Sequence, residues 1–202
     1  MKLLHLDSSP LGPHSVTREL SAAVVAQWQR RHADVAVTYN DLAANPLTHW
    51  TPLPREALDT LPADIRAEVE RNEATMQEFL DSDVIVIGAP MYNFGVPTQL
   101  KAWIDRIAVA GRTFRHGANG AEGMVVGKKV IVASARGGMY AGTSYQAADF
   151  QEAYLRQLFG FLGVTDFEFV RAEGIGFGPE QRAASIAAAK ASIESEPLAA
   201  AA

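Results

Sequence analysis

The sequence lacks cysteine, which excludes disulfides, thiolate metal sites and cysteine nucleophiles. It also lacks an apolar run near the roughly 20 residues that a membrane-spanning helix requires. Met1 to Pro10 shows neither the basic flank nor the long apolar core of a signal peptide. We therefore expect a cytoplasmic protein that is not embedded in a membrane.

Positive charge is also scarce. Lys and Arg total 18 against 23 Asp and Glu, which gives a net charge of -5. Because nucleic acids and anionic membranes are bound by concentrated basic faces, neither is an expected partner. A length of 202 residues with 48% hydrophobic residues fits one domain. We expect this domain to span residues 1–196 and the alanine-rich tail, 197–202, to be disordered.

Short apolar runs alternate with segments of helical periodicity along the whole chain. Uninterrupted runs such as Val84 to Ile87 are typical of parallel strands that helices cover on both faces. The predicted strands are Lys2 to Leu6, Val35 to Tyr39, Val84 to Ile87, Val130 to Ala133 and Phe167 to Val170. The predicted helices begin near Thr17 and Pro97, the latter ending at Gly111, and span Asp64 to Leu80, Gln146 to Leu162 and Pro179 to Glu194.

This alternation predicts an α/β fold in three layers. Right-handed crossovers between parallel strands give a flavodoxin-like, doubly wound five-stranded sheet of order 2-1-3-4-5. A ligand in such a fold lies at the carboxyl edge of the sheet, where the strand order reverses. The loops expected there are Asp7 to Val16, Ala89 to Val96 and Ser134 to Tyr145. Two segments stand outside the pattern, a proline-rich stretch over 40–62 and a glycine-rich excursion over 113–127.

The first loop is rich in hydroxyl groups and precedes a helix. Ser9, Ser15 and Thr17, with the free N–H groups at the helix start, suit a terminal phosphate. The chain has neither GxxxxGK[ST] nor GxGxxG, so a nucleotide P-loop and a dinucleotide-binding turn are excluded. The alternative is that Ser15 or Thr17 only caps the helix.

The second loop, GAPMYNFGVP, combines aromatic rings with an amide. Tyr92 and Phe94 offer flat surface to a planar ligand, and Asn93 can donate to and accept from the edge of a pyrimidine-like ring. Alternatively, Met91 and Phe94 belong to the core.

The third loop, SARGGMYAGTSY, contains adjacent glycines. Gly137 and Gly138 allow the backbone to approach a ring closely. Arg136 has three possible roles: pairing with a phosphate of the cofactor or of a nicotinamide nucleotide, stacking on a ring, or simply standing in solvent.

Taken together, these motifs resemble a known family of flavoenzymes. They are the segment from Asp7 to Pro10, HSVTREL, GAPMYNFGVPTQLKAWIDRI, TFRHGANGAEGMVVGKKV, SARGGMY, YLRQLFGFLGVTDFEFV and RAEGIGFGP. From Lys2 to about Glu196 the chain resembles the FMN-dependent NADH:azoreductases, also called NADH:quinone reductases. The resemblance implies one FMN, NADH or alternatively NADPH as donor, and quinones and azo compounds as acceptors. It further implies ping-pong kinetics and a homodimer with its flavin sites at the interface.

The resemblance also assigns residues to the site. It places Ser9, Ser15, Val16 and Thr17 at the FMN phosphate and ribityl chain, Met91, Tyr92, Asn93 and Phe94 beside the isoalloxazine ring, and Ala135, Arg136, Gly137 and Gly138 in the third contact segment. This chain departs from the family at two of the positions considered. Ala135 stands where the family has serine, so that Ser134 or the backbone is left to make the contact. His116 stands in the acceptor pocket where an aromatic is usual, and Phe161 keeps the aromatic that faces the flavin from the partner subunit.

Two other function classes remain open from the residues. One is a flavodoxin-like electron carrier without a substrate pocket of its own. The other is hydrolysis, since relatives have carried a phosphodiesterase label. For the latter the sequence offers no paired histidine spacing, no metal cluster and no GxSxG elbow. We predict no catalytic side chain and no metal, because the flavin carries the chemistry.

Overall fold

The computed structural model describes residues 1–52, 61–118 and 120–195. The expected disordered tail, the end of the expected domain at 196 and part of the proline-rich stretch lie outside the described residues. Within the described residues, none of the helices has the length and apolar character that a bilayer crossing requires.

Strands and helices alternate as the sequence predicts, except for two additional short strands between the third helix and the fourth predicted strand. The strands are β1 (Lys2–Asp7), β2 (Ala36–Asp41), β3 (Val84–Pro90), β4 (Phe114–Gly117), β5 (Gly120–Gly123), β6 (Lys129–Ala135) and β7 (Asp166–Ala172). The α-helices are α1 (Val16–Arg31), α2 (Ala63–Asp81), α3 (Thr98–Ile107), α4 (Phe150–Leu162) and α5 (Pro179–Ser195).

The central sheet confirms the predicted fold. In the part of the chain described, its order is β2-β1-β3-β6-β7 with every pair parallel, which is the order 2-1-3-4-5. The middle strands β3 and β6 are buried along their whole length. Alternate residues point to opposite faces, so Ile85 packs in the same layer as Trp103 and Val86 in the same layer as Trp28. Burial on both faces explains why these strands read as continuous apolar runs.

Around residues 107–127 one predicted detail is wrong and one element was not predicted. The third helix does not run to Gly111 but ends at Ile107, because the Thr113 hydroxyl donates to the Ile107 carbonyl (2.6 Å) and closes a tight turn there. The glycine-rich excursion contains the antiparallel hairpin of β4 and β5, which glycine and polar residues conceal in the sequence.

The predicted helix from Gln146 is interrupted at Asp149. A single 3-10 turn spans Gln146–Ala148, and α4 begins only at Phe150. The Asp149 carboxylate caps α4 by accepting from the Glu152 N–H at 3.0 Å. The cap brings the first turn of α4 beneath the end of β6.

Candidate functional site

The site lies at the carboxyl edge of the sheet, where the three predicted loops meet. Strands β1, β3 and β6 are neighbours, and each loop leaves the end of one of them. From β1 the chain moves outward to β2 on one side, whereas β3 pairs with β1 on the other side. The order therefore reverses between β1 and β3, which is where ligands bind in open α/β sheets.

The first loop forms the start of α1. Ser15 is its N-cap, since its Oγ lies 3.3 Å from the Arg18 N–H. The capping role proposed as an alternative is therefore real. The Thr17 hydroxyl lies 3.1 Å from the Ser15 Oγ, Val16 packs into the core, and Ser9 is buried. The N–H groups at the start of a helix have no acceptor within it, so an anion placed before Val16 and Thr17 would meet free donors.

Arg18 stabilises this loop rather than offering a free charge. Its guanidinium holds both oxygens of Asp41 at 2.7 Å and donates to the Ser9 carbonyl at 2.9 Å. The hydrogen bond from Arg18 holds the pKa of Asp41 below its usual value. Burial, with the negative charge of Asp7 close by, raises the pKa of Tyr39 to about 12. An anion here would thus depend on hydroxyl and backbone donors.

The second loop is a strained two-residue turn. Tyr92 and Gly95 exchange backbone hydrogen bonds of 3.1 and 3.0 Å. Between them Asn93 (φ 48°) and Phe94 (φ 69°) lie in the left-handed region. For a non-glycine residue this conformation costs about 1–3 kcal/mol, and such strain is concentrated at functional sites. Phe94 is 50% exposed and so is not part of the core, whereas Met91 is half-buried.

In the third loop the structure places the Arg136 side chain inside the protein, with its guanidinium carbon 5.7 Å from the centre of the Tyr140 ring. Arg136 is 1% exposed and pairs with Asp149, Glu152 and Glu173. Because these three carboxylates surround the guanidinium inside the protein, it neither stands in solvent nor faces a ligand phosphate. Only its backbone stays in the predicted site.

Ser134, the candidate substitute for the family's serine hydroxyl, and Ala135, which stands in the serine's place, are both buried. The Ser134 hydroxyl is buried and bonded to the Arg136 guanidinium at 2.5 Å, so it does not take the place of the missing serine. Ala135 is 3% exposed, and its carbonyl accepts from the Met91 N–H at 2.8 Å. Any contact between this loop and a cofactor would therefore come from the backbone that follows Ala135.

That backbone turns the N–H groups of Gly137 and Gly138 away from the segment to which its carbonyls are bonded. The carbonyls of Arg136, Gly137 and Gly138 accept from the N–H groups of residues 174–176 at 2.8–3.2 Å. In a trans peptide the N–H points opposite to the carbonyl, so the N–H groups of Gly137 and Gly138 point away from that segment. A Cβ added at Gly137 would meet nothing within 4 Å. A Cβ at Gly138 would instead lie 3.3 Å from the Tyr140 ring. The backbone of these two glycines, open at Gly137, forms a shallow cradle with N–H donors.

His116 and Phe161 lie together but away from the three loops. Phe114, which sequence analysis missed, contacts both, with ring centroids 5.7 Å from His116 and 4.6 Å from Phe161. Helix α4 returns from the carboxyl edge, so Phe161 at its end lies near the opposite edge of the sheet. Phe114 and His116 are two residues apart in TFRHG, and this spacing could have indicated that their rings lie on the same side of a strand. It also lines an apolar cavity of about 930 Å³ with Trp50 and Met76.

The donors at the carboxyl edge fit a phosphorylated planar cofactor. Helix N–H groups and hydroxyls suit the phosphate of FMN, while the exposed turn and the glycine cradle suit the edge of its ring. Across the ranges described, no three His, Asp or Glu side chains are grouped closely enough to hold a metal ion.

Comparisons with known proteins agree with this fold. The chain is 58% identical over 200 residues to "FMN-dependent NADH:quinone oxidoreductase 1" of Xanthomonas axonopodis pv. citri (strain 306), covering 99% of both chains. The solved structure of an azoreductase from Bacillus anthracis str. Sterne is 25% identical, with 96% of each chain covered and a TM-score of 0.85. An FMN-dependent NADH-azoreductase from Bacillus anthracis str. Ames Ancestor, solved in complex with FMN, shares the fold at 22% identity, with 96% of this chain and 97% of that chain covered and a TM-score of 0.81.

A family match spans nearly the whole chain. Residues 1–196 match the Flavodoxin_2 family, described as Flavodoxin-like fold. With the sheet order and the full-length relative, this match establishes that the chain belongs to the Flavodoxin_2 family.

Proposed function

We propose that this protein is an FMN-dependent oxidoreductase that transfers reducing equivalents from NADH to quinones. The observation that carries the proposal is the 58% identity, over 99% of both chains, to an FMN-dependent NADH:quinone oxidoreductase. The three loops at one edge of the sheet support it, because they offer phosphate donors, a planar-ring surface and a backbone cradle together.

The FMN phosphate and ribityl chain are held by Ser9, Ser15, Val16 and Thr17. The cap residue and the first N–H groups of α1 supply the donors, so that no lysine is needed. FMN supplies hydride and electron transfer, and the protein supplies binding, orientation and electrostatics.

The isoalloxazine ring is held by the other two loops. Met91, Tyr92, Asn93 and Phe94 present a ring surface and an amide, and the turn holds Asn93 outward. The backbone over 135–138 offers the Gly137 and Gly138 N–H groups. Because the side chains of Ala135 and Arg136 face inward, their part is limited to the main chain.

The acceptors include azo compounds as well as quinones, and NADPH is an alternative donor. The two substrates use the same space in turn, in a ping-pong sequence.

His116 and Phe161 line the acceptor pocket of a second copy in a homodimer. The apolar cavity beside Phe114 and the aromatic cluster at the far edge support this arrangement, since a single chain does not bring them to its own loops. We place the protein in the cytoplasm.

The proposal is tested on the purified protein. We expect visible flavin absorbance, release of FMN rather than FAD by mass analysis, and reduction of a simple quinone with NADH as donor. Asn93→Ala should weaken FMN binding, whereas the matched control Asn45→Ala, an exposed amide outside the three loops, should not. A protein that binds neither FMN nor NADH would overturn the proposal.

Further measurements address the finer statements. Parallel double-reciprocal plots for NADH and quinone are expected of ping-pong kinetics, and intersecting plots would refute it. Sedimentation that gives an active monomer would refute the homodimer. An electron carrier would fail to oxidise NADH without a separate reductase, so turnover with NADH as the sole donor distinguishes the two classes.

A further inference from the structure

One buried side chain links two of the three loops. Gln151, in the first turn of α4, is 0% exposed. Its Nε2 donates to the carbonyls of Ala89 (3.0 Å) and Pro90 (2.8 Å), the last two residues of β3. Its Oε1 lies 3.4 Å from the hydroxyl of Ser134, near the end of β6. A single amide therefore bridges the ends of the two strands from which the ring-binding loops leave.

The bridge lies where the backbone most needs support. The turn over 92–95 begins two residues after Pro90, and Asn93 and Phe94 hold strained φ values in it. Strained conformations persist only when surrounding contacts over-determine them. The Met91 N–H donates to the Ala135 carbonyl, and Gln151 adds donors to the two carbonyls just before it.

The surroundings of Gln151 fix its own position. Its neighbours Asp149 and Glu152 both pair with the buried Arg136, and Glu152 also holds Arg171 at 2.8 Å. The first turn of α4 is thereby attached to the loop that follows β6. These buried ion pairs restrict the movement of Gln151 relative to the strand ends that it contacts.

We propose that Gln151 is a positioning residue that holds the turn over 92–95 against the Gly137 and Gly138 cradle and so sets the affinity for the flavin ring. The inference rests on the proposed function. Gln151 does not contact the ring. It acts through the carbonyls of Ala89 and Pro90, and its loss leaves both of these buried acceptors without a side-chain donor.

The test is an FMN titration of the apoprotein. Gln151→Met keeps the length of the side chain but removes the amide, and we expect FMN to bind at least about tenfold more weakly. Gln157→Met, an exposed position on the same helix, is the matched control and should bind FMN as the wild type does. Gln151→Asn, which keeps the amide but draws it back from both carbonyls without adding charge, makes the same comparison if Gln151→Met does not fold.

Double-mutant cycles separate positioning from a general loss of stability. Asn93→Ala should weaken FMN binding less in the Gln151→Met background than in the wild type, by a factor of at least about three, because both changes act on one turn. Ser15→Ala, at the phosphate end, should have the same effect in both backgrounds. Unchanged FMN affinity in Gln151→Met, or equal additivity with both partners, would overturn this inference alone. A wild-type protein that binds no FMN would overturn the proposed function and this inference with it.

Discussion

Replacing Arg136 by methionine tests whether this side chain contributes to FMN binding or to the stability of the fold. Its side chain is fully buried against Asp149, Glu152 and Glu173. Removing one partner of a buried ion pair costs about 3–5 kcal/mol, since it leaves uncompensated charge in a poorly solvated place. Arg136→Met should therefore lower the free energy of unfolding of the apoprotein.

The expected loss lies at the lower end of that range. Glu152 keeps Arg171, and Glu173 keeps the N–H groups of Tyr140 and Ala141. We therefore expect about 3 kcal/mol, which for a domain of this size lowers Tm by roughly 6–12 °C.

The assay is denaturant unfolding of the apoprotein, with FMN affinity measured on the folded protein. The control is Arg30→Met, which removes a surface pair with Glu194 and should cost less than about 1 kcal/mol. Unchanged unfolding combined with a large loss of FMN affinity would refute the reasoning, because the guanidinium would then serve the cofactor and not the scaffold.

Three further changes test other parts of the molecule. Arg18 lowers the pKa of Asp41, so the stability from this pair is present above the usual Asp value and is lost as the pH falls through the lowered one. Asp41→Asn should thus be less stable than the wild type at pH 7, with the difference closing below about pH 4 in urea unfolding; a constant difference would contradict this. In Gly88→Ala the new Cβ would lie 2.4 Å from the Asp7 Oδ1, and unfolding should show a loss of about 1–3 kcal/mol, whereas wild-type stability would argue against this packing. His116→Phe should raise kcat/KM for bulky apolar acceptors relative to quinones and leave FMN affinity nearly unchanged; unchanged constants for both would make His116 an ordinary exposed residue.

The sequence by itself determined the fold and the edge at which the site lies. Apolar runs such as those of β3 and β6 reveal strands covered on both faces, and their alternation with helices leaves few possible topologies. Once the strands are parallel, the segments that follow β1, β3 and β6 must meet at one edge. The role of the hydroxyl groups before α1 could also be predicted, because helix capping depends on residues close together in the chain.

Only the tertiary structure decided which side chains face that edge. In the sequence Arg136 looks like a surface arginine. Its burial depends on carboxylates at the start of α4 and directly after β7. In the sequence Gln151 is an ordinary helical glutamine. Only the structure shows that its amide donates to two carbonyls at the end of a strand. Phe114 becomes the link between His116 and Phe161 only when the hairpin packs on α4. The tendency of a segment to form a helix or a strand depends on neighbours in the sequence. The pairing of buried polar groups depends on residues that only folding brings together, so a local sequence pattern does not predict it.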